Sequence, residues 1–264
     1  MNTRIASTFA RCSAEHRAAF IPFIMGGDPS PEACAALLDG LPAAGADIIE
    51  LGIPFSDPMA DGPVIQAAGL RALEAGTTLK TVLELARQFR AKHATPLVLM
   101  GYLNPIYVYG YEAFTRDAAA AGVDGVIIVD LPPEEAAELE PTLSARGIAL
   151  VRLIAPTSLE TRLPLLADKA SGYLYYVSIT GITGAASANA ASVKEALAAI
   201  RAATPLPVCV GFGIKTPEDV AAMAATGADG VVVGSSIVRR VGEAGAQPEA
   251  ILAYVRSLAA GCRR

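Results

Sequence analysis

Histidine and cysteine are scarce in this sequence, and what is missing narrows its chemistry. The 264 residues contain two histidines, His16 and His93, and four cysteines, Cys12, Cys34, Cys209 and Cys262. Two separated histidines form no cluster able to hold a transition metal. The cysteines show no CxxC pair and no regular spacing, so they read as buried or incidental thiols in a reducing cytoplasm. No basic run occurs, and the net charge is −5, which argues against a nucleic-acid partner. No apolar stretch approaches the ~18 uninterrupted residues of a spanning helix, so no membrane segment is expected. The N-terminal stretch does not read as a secretory signal, being broken by Arg4, Arg11, Glu15 and Arg17. Ile5, Phe9 and Cys12 instead fall at helical spacing and predict an extra N-terminal helix.

What the chain does have is apolar residues, 53% of the total, with a mean hydropathy of +0.43. That suits a parallel sheet buried on both faces. Eight candidate strands recur along the chain: 20–25, 47–53, 96–102, 125–130, 149–155, 173–178, 207–213 and 230–235. Several are continuous apolar runs, such as Val126-Ile-Ile-Val129 and Val231-Val-Val233. Between them lie helix signals. Ser30-Pro31-Glu32 and Thr216-Pro217-Glu218-Asp219 each set a capping hydroxyl before a proline and acids at the positive end of the dipole. Leu79, Val82, Leu83, Ala86 and Phe89 form one helical stripe. Gly45-Ala-Asp47, Gly122-Val-Asp124 and Gly227-Ala-Asp229 recur as the turn from a helix into the next strand. Eight β/α units in a length near the roughly 250 residues of one α/β barrel predict a single (β/α)8 TIM barrel over residues 1–264. A doubly wound open sheet is the competing fold.

Barrel enzymes place their chemistry at the C-terminal ends of the strands. The segment Glu50-Leu-Gly-Ile-Pro-Phe-Ser-Asp57-Pro-Met-Ala-Asp61-Gly-Pro sets one carboxylate inside an apolar strand and two in the loop that follows. A strand glutamate is either a structural carboxylate paired to a donor or cation, or a proton-transfer group whose pKa desolvation raises toward neutrality. A second carboxylate in a more polar loop can stay ionised and stabilise positive charge, and Asp57 and Asp61 both qualify. Gly211-Phe212-Gly213 and Gly234-Ser235-Ser236 close the last two strands and predict a phosphate site at the loops after them and a short helix N-terminus. Residues 179–192 make a long connection, a candidate lid, from which Gly184 can reach the phosphate and the Thr183 hydroxyl a carboxylate. Phe23, Met100, Tyr102, Tyr175 and Phe212 predict a flat apolar slot beside it.

These segments, with Gly101-Tyr-Leu-Asn-Pro and Gly181-Ile-Thr-Gly, resemble in order the alpha subunits of tryptophan synthase. The resemblance implies retro-aldol cleavage of indole-3-glycerol phosphate to indole and glyceraldehyde 3-phosphate. It implies that Glu50 exchanges protons with indole C3 and the glycerol hydroxyl, and that Asp61 stabilises positive charge at the indole nitrogen. It places Asp57 in the loop that meets a β subunit. It also assigns Tyr175 to the active-site lining, Phe23, Met100, Tyr102 and Phe212 to the indole pocket, and Gly184, Gly213, Gly234 and Ser235 to the phosphate. It implies an αββα complex with a pyridoxal-phosphate-bearing β chain and no cofactor in this chain. The strand ends agree with acid–base catalysis, since none carries the lysine of a Schiff-base aldolase. Lys215 comes nearest and reads as an exposed loop residue.

Overall fold

Eight parallel strands close on themselves in sequence order, each hydrogen-bonded to its two neighbours in the chain and the last to the first. They are β1 (Ala19–Met25), β2 (Ile49–Gly52), β3 (Leu97–Gly101), β4 (Gly125–Ile128), β5 (Ala149–Ile154), β6 (Leu174–Val177), β7 (Val208–Gly211) and β8 (Gly230–Val233). The computed structural model describes residues 3–177, 190–211, 213–244 and 247–262. Closure rules out the doubly wound alternative, because no open edge is left. Helices surround the barrel, and their predicted caps form. Ser30 accepts from the Ala33 N–H, and Thr216 and Asp219 make a reciprocal capping box. The predicted stripe lies on the helix Leu79–Arg90, with Val82, Leu83, Ala86 and Phe89 buried.

Alternation along each strand divides the core into two layers. Ile49 and Leu51 point outward into the large cluster between sheet and helices. Ile21, Ile48, Val98, Ile127, Val151, Tyr173, Cys209 and Val232 fill the barrel interior. The N-terminal helix Thr3–Ala14 plugs the barrel floor, adding Ile5, Phe9 and Cys12 to that interior cluster. All four cysteines are free and buried.

The recurring Gly-x-Asp turns have one physical purpose. Gly45, Gly122 and Gly227 have φ of 102°, 77° and 92°, a region open to glycine and strained for other residues. The aspartate two residues on is thereby aimed back at the preceding strand. Asp47, Asp124 and Asp229 each donate their N–H to that strand (Phe20, Leu97 and Val208 carbonyls) at 2.9 Å. Their carboxylates accept the N–H of the same three residues, also at 2.9 Å. Each carboxylate is then balanced by arginine: Asp47 by Arg17 at 2.6 Å and Arg11 at 2.7 Å, Asp124 by Arg90 at 2.6 Å, Asp229 by Arg201 at 3.1 Å. Ser171 does the same for Leu150 without a charge. The barrel floor is thus a ring of side-chain clamps.

Burial alone would raise the Asp47 carboxyl, but Arg17, the Phe20 N–H and Arg11 outweigh it and hold it below its ordinary value. A depressed carboxyl contributes stability that is present above its unfolded pKa and is lost as pH falls through the folded one. Asp47→Ala should therefore lower the unfolding free energy by about 3 kcal/mol at pH 7, as expected for breaking a buried ion pair. In urea titrations the gap to wild type should persist down to pH about 4 and narrow only below it. A gap that is absent, or that closes near neutrality, contradicts this role.

Candidate active site

Glu50 points into the barrel from β2, in register with Phe23 on one side and Val98 on the other. It is fully buried. The Tyr173 hydroxyl, just before β6, donates to its Oε1 at 2.8 Å. Its Oε2 has no partner among the described residues. Phe9 of the N-terminal helix packs on the Tyr173 ring with centroids 5.8 Å apart, fixing the phenol from below. Burial pushes the Glu50 carboxyl up to about 8, against the smaller opposing pull of the Tyr173 hydrogen bond. At neutral pH this residue holds a proton with one oxygen uncommitted, which is the state of a general acid.

The loop after β2 separates the other two acids. Asp57 is exposed, and the Ser56 hydroxyl donates to it at 2.5 Å. Asp61 is half-buried, and burial raises its carboxyl while the Tyr102 phenol draws it back down. Tyr102 begins the helix Leu103–Tyr109 and is itself buried. Its hydroxyl accepts from the Ala60 N–H at 3.1 Å, and its ring lies 5.5 Å from that of Phe55. Tyr102 therefore holds the loop that carries Asp61, a second task beside the slot expected of it. Asp130 adds a brace: its carboxylate accepts from the Leu103 N–H at 2.7 Å.

Phe23, Met100 and Tyr175 pack around the interior that holds Glu50, and Gly234 lies beside Phe23. Phe23 and Met100 share one cluster at the mouth. The Phe23 ring occupies the space a side chain at Gly52 would need, with its Cζ 2.8 Å from that Cβ position, and it flanks Gly234 at 3.5 Å. Tyr175 lies half-buried on top of the interior cluster. Its hydroxyl stands 2.6 Å from where a Cβ at Gly211 would be, so only glycine fits there.

Gly213 is exposed, with φ of 70° and open space around it. Gly234 precedes the helix Ser235–Ala244, whose Ile237 and Val238 N–H groups donate to the Gly234 carbonyl at 2.9 and 3.0 Å. The N–H groups of Ser235 and Ser236 belong to the first turn and have no acceptor within the helix, the usual setting for an anion. Thr183, Gly184 and Phe212 lie outside the described residues, as does most of the candidate lid 179–192. Among the described residues no group of three His, Cys, Asp or Glu side chains is placed to hold a metal ion. The barrel's opposite end has a groove of about 630 Å³ between the N-terminal helix and residues 204–207. Its charged residues Arg17, Arg201 and Asp229 are committed to the floor clamps.

The sequence search missed Tyr173. The available signal was parity: Tyr173 and Tyr175 are two apart and face the same interior as Glu50.

Comparison with known proteins places this geometry. A family model described as "Tryptophan synthase alpha chain" matches residues 9–263. A protein named tryptophan synthase alpha chain from Phenylobacterium zucineum (strain HLK1) is 55% identical over 255 residues, covering 96% of this chain and 92% of that one. The crystal structure of tryptophan synthase subunit alpha from Legionella pneumophila str. Paris superposes with a TM-score of 0.88 at 42% identity, over 100% of this chain and 97% of that one. A structure of Mycobacterium tuberculosis tryptophan synthase gives 0.91 at 35% identity, over the whole of both chains.

The raised carboxyl of Glu50 has a stability consequence. A group whose folded pKa exceeds its unfolded value contributes stability that is complete below the unfolded pKa and lost as pH rises through the folded one. Wild type should therefore lose this contribution progressively between the ordinary carboxyl value of 4.5 and about 8. Glu50→Gln, which cannot ionise, should not. Urea unfolding of the two proteins should show a gap in favour of glutamine that widens with pH and levels off above about 8. Parallel curves across that range refute the assigned burial.

Proposed function

The chain belongs to the tryptophan synthase alpha chain family, and from that premise we propose how its residues carry the reaction. The protein is a lyase that cleaves indole-3-glycerol phosphate to indole and glyceraldehyde 3-phosphate in L-tryptophan biosynthesis. Protonated Glu50 delivers its proton to C3 of the indole ring. The ring then carries a positive charge, and Asp61 stabilises it from the nitrogen side. That charge favours the ionised form of the Asp61 carboxyl, against the burial that raises it. The Glu50 carboxylate next accepts the proton of the glycerol hydroxyl as the carbon–carbon bond breaks. An aldehyde forms, the bonding electrons return to the ring, and Glu50 ends protonated as it began. The observation that carries this reading is the buried Glu50, with one phenolic hydrogen bond among the described residues and a carboxyl raised to about 8.

The phosphate is received by Gly213, Gly234 and Ser235, with Gly184 from the lid. The indole ring lies among Phe23, Met100, Tyr102 and Tyr175; Phe212 and Thr183, outside the described residues, keep the substrate-binding roles that the family resemblance implies. The chemistry requires no cofactor in this chain; pyridoxal phosphate belongs to the β chain of an αββα complex. Met59, Tyr107 and Val108 are 83%, 66% and 76% exposed, apolar surface beside the mouth that a β subunit would cover. No helix among the described residues is long and apolar enough to cross a membrane, and we place the enzyme in the cytoplasm. Barrel closure, and an N-terminal helix that packs inside it, support a single domain over residues 1–264.

Glu50→Gln should lower kcat for indole release from indole-3-glycerol phosphate by at least about 10²- to 10⁴-fold, the range of general acid–base catalysis, while β binding stays intact. Asp61→Asn should lower kcat by about 10²-fold, as for loss of one preorganised electrostatic contact. Wild-type turnover by Glu50→Gln, or no indole from the native protein even with β added, overturns the mechanism. Asp57→Ala should weaken activation by the β chain and leave cleavage by the isolated chain unchanged. Undiminished coupling in that variant refutes the loop's assignment.

A further inference from the structure

Gly213 is poorly restrained by its own chemistry. It has no side chain, sits in the left-handed region, and has open space where a Cβ would stand. A glycine in that position loses much conformational freedom when a ligand orders it, and affinity falls accordingly. The residues directly after it are nevertheless fastened at four points. The Ser236 hydroxyl donates to the Ile214 carbonyl at 3.0 Å. Asp219 accepts the N–H groups of Lys215 and Thr216 at 2.9 and 3.0 Å. The Tyr254 hydroxyl donates to the Lys215 carbonyl at 2.5 Å.

Local structure accounts for two of the four; the Ser236 and Tyr254 bonds reach across 22 and 39 residues. Asp219 is part of its own helix's capping box, and Ser236 lies in the first turn beside the phosphate end. Tyr254 is 39 residues from the carbonyl it binds, on the helix Pro248–Ala259. Its ring is held as well: the Arg240 guanidinium lies 3.8 Å from the ring centroid. Arg240 belongs to the helix Ser235–Ala244, whose N-terminus is assigned above to the phosphate. One phenol therefore contacts the loop after β7 and both C-terminal helices, alongside the Ser236–Ile214 bond that joins that loop directly to the helix Ser235–Ala244.

We propose that Tyr254 is a positioning residue for the phosphate end of the site. Without touching substrate, its hydroxyl holds the Lys215 carbonyl, and so the Gly213 backbone, in the conformation that receives the phosphate beside Gly234 and Ser235. This rests on the phosphate reading given above.

Tyr254→Phe deletes one oxygen and keeps the ring over Arg240. In the complex with β, KM for indole-3-glycerol phosphate should rise about three- to tenfold, what one neutral hydrogen bond is worth, with kcat unchanged. Calorimetric affinity of the isolated chain for glycerol 3-phosphate should fall by the same factor, at a temperature where both proteins are folded by circular dichroism. Tyr254→Leu should act in the same direction and more strongly. Amide NMR of the wild type separates the two ways of failing. If the Gly213, Gly234 and Ser235 amides do not shift on addition of glycerol 3-phosphate, the phosphate reading is wrong and the proposal falls with it. If they shift, and Tyr254→Phe binds as tightly as wild type or loses kcat at constant KM, the positioning role alone is overturned.

Discussion

A carboxyl group taken out of water inside a closed barrel is the constraint around which this molecule is organised. Eight strands of four to seven residues leave an interior that only side chains can fill, and Glu50 occupies one of those places. Burying an ionised carboxylate with one hydrogen bond is costly, so the group keeps its proton instead. The same burial that would be a structural defect elsewhere suits the group, on the proposed mechanism, to donate a proton near neutrality. On the proposed mechanism, what keeps water from Glu50 serves the reaction: the N-terminal helix that plugs the floor, Phe9 against Tyr173, and Phe23 above.

The two ends of the barrel divide the labour. At the floor, Asp47, Asp124 and Asp229 clamp the starts of the preceding strands and are neutralised by arginines from neighbouring elements. These contacts are built from charge pairs already satisfied, so the charged residues of the groove beside them are committed to the floor. At the mouth, among the described residues, an oxygen of Glu50 has no partner, and the first N–H groups of the helix Ser235–Ala244 have no acceptor within that helix. A rigid floor lets the mouth tolerate them, and Tyr102, Asp130 and Ser236 brace its loops one hydrogen bond at a time.

Much of this was legible from residue order. The eight strands, the Ser30 and Thr216 caps, the stripe Leu79–Phe89 and the Gly-x-Asp turns are local patterns, set by period, sterics and hydrogen bonding within a few residues. Glu50 stood out because a charge in an apolar strand is conspicuous. Its partner did not, because Tyr173 is 123 residues away and meets it only through barrel closure. Asp57 and Asp61 could not be told apart by spacing. Their difference in burial follows from how Tyr102, 41 positions beyond Asp61 in the sequence, draws the loop inward. The link from Tyr254 to Lys215 was equally hidden, since it joins the ends of two β/α units by a single atom. Long-range register, rather than local propensity, separates what the sequence discloses from what needs coordinates.

The central claim is that Glu50 is a neutral acid at pH 7. Infrared difference spectroscopy of the wild type against Glu50→Gln tests it most directly, through the carbonyl stretch of a protonated carboxyl group. A Glu50 band should be present at pH 7 and disappear as pH rises through about 8, leaving the carboxylate signal in its place. A carboxylate signal already complete at pH 6 would contradict it.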